Sequence, residues 1–109
     1  MDIQTSRNLY IKLQKQVEIA QKLNQPIDNL VKQQIQLLEK VHDEFVSSTL
    51  AKNKDLEFNL DFAGTRIKQL QAIASLCKKI GLPTDKYENQ IREIRIQTLG
   101  VDFVKKHYD

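Results

Sequence analysis

Near the N-terminus the apolar residues Tyr10, Leu13, Val17 and Ala20 recur at alternating steps of three and four. At about 100° of rotation per residue this keeps them on one side of a helix, and the pattern predicts a helix over 3–23. Asn24, Gln25 and Pro26 then break it. Pro26 suits the first position of a second helix, where a missing amide hydrogen costs nothing. Over 27–50, Ile27, Val31, Ile35, Leu38, Val41 and Phe45 stay in helical phase, while Leu30 and Leu37 widen one flank and Val46 the other. So wide an apolar arc needs more than one neighbour and predicts that helix two is central.

Ser47, Ser48, Thr49, Asn53 and Asp55 are weak helix formers and good caps, so a break is expected between Ala51 and Asp55. The apolar phase nevertheless runs on through Thr49 and Lys52 to Leu56, which keeps open one long helix over 27–80, dimerised as a coiled coil. A third stripe, Leu56, Leu60, Ala63, Ile67, Leu70, Ala74 and Cys77, predicts a helix over 55–80 closed by a left-handed Gly81 with Pro83 behind it. Thr84 is placed to cap a fourth helix over 85–99, whose inner face is Tyr87, Ile91 and Ile94. Gly100 ends or bends it, and 101–108 forms a short helical tail. The expectation is a single all-α domain, an antiparallel bundle of about four helices, with an elongated helical hairpin as a variant.

Length and composition agree with this. The chain has 109 residues, 40% hydrophobic and 28% charged, with only three glycines and two prolines, which suits one helical domain and excludes a disordered tail or a turn-rich β-sandwich. One cysteine, Cys77, rules out an internal disulfide framework, and no secretory leader pattern opens the sequence, so a cytoplasmic location is expected. No apolar run approaches the roughly 20 residues that a membrane crossing needs, so no membrane insertion is expected.

Candidate chemistry is sparse. Glu39 and His42 share a helix face at Glu-x-x-His spacing, but His107 is preceded at the matching position by Val104, so the second half of a di-metal site is missing. Both are expected to be solvated at the edge of helix two, with no metal. Cys77 lies on the apolar stripe and is expected in the core rather than as a nucleophile. With no nucleophile–base set, phosphate loop or zinc spacing, the chain is expected to have no catalytic role and no cofactor.

The net charge of +3 is mildly basic. Leu76, Cys77, Ile80, Gly81, Leu82 and Tyr87 fall at spacings that resemble those of helix-turn-helix DNA readers. The resemblance covers only 73–94 and implies a second helix laid in the major groove. Cys77 stands where that family has alanine, and Gln90 where it buries an aliphatic side chain. On this alternative Arg66, Lys68, Lys78, Lys79, Lys86, Asn89, Gln90 and Arg92 would contact DNA, with Asp85, Glu88 and Glu93 opposing.

The stronger signal is surplus apolar surface. Phe58 and Phe62 lie about 160° around helix three from Leu60 and Ile67, and Ile96, Leu99 and Phe103 lie away from the inner face of helix four. These five residues are expected to form a protein interface. The expected function is a non-catalytic helical interaction module, an adaptor, assembly factor or regulator, that pairs with itself and with another protein.

Overall fold

The structure, a computed structural model, describes residues 3–108. These residues form α1 (Ile3–Lys22), α2 (Asp28–Lys52), a 3-10 turn (Lys54–Phe58), α3 (Leu60–Lys79), α4 (Asp85–Leu99) and α5 (Val101–His107), and no strand is present among them. The fold is all-α.

Each break has a local cause. At the end of α1, Asn24 adopts the left-handed region at φ 55°, and the Gln25 and Asn24 amides donate to the carbonyls of Ala20 (2.8 Å) and Gln21 (3.2 Å), satisfying orphan carbonyls as a glycine cap would. Pro26 is therefore not the first residue of α2, as the sequence suggested. It lies in the link, and Ile27 caps a helix that begins at Asp28. The continuous long helix does not form either. Asn53 turns extended, its Oδ1 accepts from the Asp55 amide at 2.9 Å, and after the 3-10 turn Asn59 caps α3 by accepting from the Phe62 amide at 3.0 Å.

Gly81, at φ 75°, closes α3 as expected. The Leu82 amide reaches the Cys77 carbonyl at 2.8 Å and the Gly81 amide that of Lys78 at 3.2 Å, the paired bonds of a Schellman motif. Thr84 does not cap with its side chain: its hydroxyl donates to Glu88 Oε1 at 3.0 Å, and its carbonyl alone accepts from the first turn of α4. Gly100, at φ 93°, bends α4 into α5.

The principal packing runs along the chain, α1 on α2, α2 on α3, α3 on α4 and α4 on α5. The Cα envelope measures 48 × 33 × 16 Å with a radius of gyration of 15.9 Å, above the roughly 13 Å of a compact chain of this length. The molecule is a slab.

Helix α2 packs on two neighbours, α1 and α3, as its wide apolar arc predicts, but the most deeply buried helix is α3. It buries Phe62, Ala63, Arg66, Leu70, Ile73, Ala74, Leu76 and Cys77, whereas α2 buries only Val31, Gln34 and Ile35. With α2 on one flank and α4 on the other, α3 can bury nearly half its circumference. Leu70 and Ile73, almost inaccessible to solvent, meet Val31, Ile35, Tyr87, Ile91 and Ile94 in one continuous core.

Candidate functional site

The five residues expected at an interface divide. Phe62 is buried: its ring stacks at 5.4 Å and 44° on Phe45 of α2, and the Arg66 guanidinium lies 4.5 Å over it. The Phe62 part of the second face that the sequence places on helix three is thus covered from within the molecule, because the 3-10 turn folds α2 and α3 together there. Phe58, at the end of that turn, is 62% exposed, Phe103 45% and Leu99 36%, while Ile96 is half-buried. Leu60, read as part of the core stripe, is 62% exposed at the first turn of α3. Gln97 Nε2 donates to Glu57 Oε1 at 2.8 Å. That bond ties the last turn of α4 to the 3-10 turn, so Phe58 and Leu60 belong to the same end of the slab as Leu99, Val101 and Phe103.

The residues of the DNA-reading alternative do not share a face. Arg66 is buried, and its Nη2 donates to the Glu57 carbonyl at 3.3 Å. Its guanidinium is held below the usual arginine range by burial, an effect that Glu57 opposes. Lys68, Lys78, Lys79, Lys86 and Asn89 are exposed, and Gln90 and Arg92 half-buried. Lys78 lines a groove with Gln71, Ser75, Glu88 and Arg95, whereas Lys86 lines the cleft on the opposite side of the α3–α4 pair with Glu39, His42 and Tyr87. Low residue numbers of α3 meet high numbers of α4 as far as Arg66 beside Gln97. This is a hairpin of helices lying side by side, unlike the steep crossing that a helix-turn-helix requires.

The densest polar chemistry lies in that cleft, between α2 and α4 with Leu70 and Ile73 beneath. Glu39 and His42 are half-buried rather than solvated. The Tyr87 hydroxyl donates to Glu39 Oε1. His42 Nδ1 lies 2.6 Å from Gln69 Oε1, and since an amide oxygen only accepts, the imidazole donates. Cys77 is buried in the core behind them. Burial pushes its thiol above the usual range, with Glu39 adding to the shift and Lys86 opposing it. Tyr87 is likewise raised, first by burial, then by its hydrogen bond to Glu39 and the charges of Glu39 and Cys77. Among the described residues no group of three His, Cys, Asp or Glu side chains is placed to hold a metal ion. Sequence periodicity could not pair Tyr87 with Glu39. The available signal was that a tyrosine on a core face must find a partner for its hydroxyl.

These shifts have a sign that can be tested. Both groups ionise less readily folded than unfolded, so their contribution is complete below their unfolded pKa values, about 8.5 for Cys and 10 for Tyr, and is lost as pH rises past them. The urea midpoint is expected to fall above about pH 8.5 and more steeply above about 10. Cys77→Ala should remove the first decline and Tyr87→Phe the second. A midpoint that stays level through the whole alkaline range would refute the assignment.

No protein-family model, curated protein or solved structure matches the chain.

Proposed function

We propose that this chain, an antiparallel bundle of about four main helices with a short fifth, is a non-catalytic interaction module of the cytoplasm. It acts as an adaptor, assembly factor or regulator, pairing with a second copy of itself and with another protein. The observation that carries the reading is the apolar end of the slab. Phe58, Leu60, Leu99, Val101 and Phe103 are all 36% or more exposed, and large aromatic and aliphatic side chains left in water are what interface anchors look like before their partner covers them. A non-catalytic role is supported by how the reactive groups are occupied: Glu39 by Tyr87, His42 by Gln69, and Cys77 by the core.

The test is the mass of the native particle. Sedimentation at high micromolar concentration should give a species heavier than the 12.7 kDa monomer. The double variant Phe58→Ser/Phe103→Ser should return it to monomer mass while keeping its helical content, because both rings lie at the surface. A wild-type chain that sediments as a monomer at every concentration overturns self-association through this end.

A further inference from the structure

A second surface, at the other edge of the slab, has a different character. The main neighbour of α1 is α2, against which it buries Val17 and Ala20. On the side turned to solvent stand Leu9 (38% exposed), Ile11 (45%), Ile19 (58%) and Leu23 (61%). Between them on the same arc, about 160° wide at 100° per residue, are the exposed Lys12, Lys15 and Lys22. No carboxylate falls within that arc. Glu18, the only acid of α1, sits at its rim, where its Oε1 accepts from Gln14 Nε2 at 3.5 Å.

We propose that this face of α1 attaches the protein to an anionic phospholipid surface. Charge complementarity selects the occupant: a row of cations with no acid among them on α1, Glu39 and Asp43 lying on the α2 side of the groove that Lys12 also lines, interleaved with aliphatic side chains, matches a sheet of phosphates above hydrocarbon. A partner helix fits less well. The stripe it would have to cover, at positions 9, 12, 16, 19 and 23, reads Leu, Lys, Gln, Ile, Leu, so a lysine and an amide would sit in the middle of the seam. At a membrane the same lysine lays its stem along the acyl boundary and lifts its ammonium to the headgroups. Attachment is peripheral, since among the described residues no helix is long and apolar enough to cross a bilayer. The proposal uses none of the residues at the Phe58 end and stands apart from the reading given there.

Co-sedimentation of the full chain with vesicles tests it, using phosphatidylcholine alone and phosphatidylcholine mixed with phosphatidylserine. Binding is expected to the mixed vesicles and not to the neutral ones, and high salt should release it. Lys12→Glu/Lys15→Glu should weaken it more than about tenfold. Ile19→Ser/Leu23→Ser, at exposed positions where the fold is indifferent, should weaken it several-fold. Lys68→Glu/Lys79→Glu makes the same change of net charge on the outer face of α3 and should leave binding nearly intact. The proposal is overturned if the mixed vesicles carry down no more protein than the neutral ones at low salt. It is equally overturned if the α3 variant loses as much binding as the α1 variant, which would make the attraction a matter of net charge alone.

Discussion

Leu70→Ala should destabilise the protein by about 2–5 kcal/mol, the range for truncating a leucine that a core encloses on all sides. Leu70 is 2% exposed, sits midway along α3, and is part of the floor beneath the α2–α4 cleft. A void there cannot be closed by one helix sliding inward, because α3 is held from both flanks. Total stability for a domain of this size is roughly 5–15 kcal/mol, so the variant should show a much lower urea midpoint, and its helical signal should vanish over a narrow range. Leu60→Ala is the contrast. That side chain is 62% exposed, and its loss should stay within about 0.5 kcal/mol. Since both leucines lie on the same stripe of the sequence, equal effects would mean that α3 does not begin where Asn59 places it.

That pair of leucines also marks where the sequence was legible and where it was not. Helical periodicity located every long helix, because each buries one face against a neighbour and the period of apolar residues records that face. Val17, Val31, Leu70, Cys77 and Ile94 all lie in the core, where their spacing puts them. Periodicity carries no information about which other helix covers a face. Phe62 looked unpartnered because Phe45, its cover, is 17 positions away across two asparagine caps and a 3-10 turn. The wide apolar arc of α2 matched its two neighbours, α1 and α3, but did not show which helix buries the most residues. Helix α3 does so with alanine, cysteine and arginine among its buried residues.

Polar residues in the core were the least legible. Gln34 is fully buried, although it stands among Gln33 and Gln36 in what reads as a solvent-facing run. Its Nε2 donates to Gln14 Oε1 at 3.0 Å, and its own Oε1 is buried without a hydrogen-bond partner. The clue was positional, since Gln34 lies three residues after Val31 and four before Leu38, on the seam that both follow. The exposed end of the slab was only partly legible. Phe58, Leu99 and Phe103 stand out in the sequence as surplus, but it took the Gln97–Glu57 bond to bring the 3-10 turn and α4 to one end.

Arg66 separates a structural role from a nucleic-acid role most sharply. As one of the DNA contacts of the helix-turn-helix alternative it looked suited to phosphate, yet it is only 8% exposed and packs over the Phe62 ring. Arg66→Ala removes that stacking, the aliphatic stem and the bond to the Glu57 carbonyl, and is expected to cost about 2–4 kcal/mol. Arg66→Met keeps the stem and discards a charge whose burial is only partly compensated, since Nε has no hydrogen-bond partner. That variant should unfold within about 1 kcal/mol of the wild type, because a buried charge returns little beyond its own desolvation. Urea unfolding followed by circular dichroism decides it. Equal losses in both variants would show that the guanidinium charge, not the packing of its stem, fastens the 3-10 turn to α3. A methionine variant that folds normally also isolates the question of phosphate contact: were Arg66 a DNA ligand, that variant would lose affinity for duplex DNA with its fold intact, whereas a packing arginine leaves any such affinity where it was.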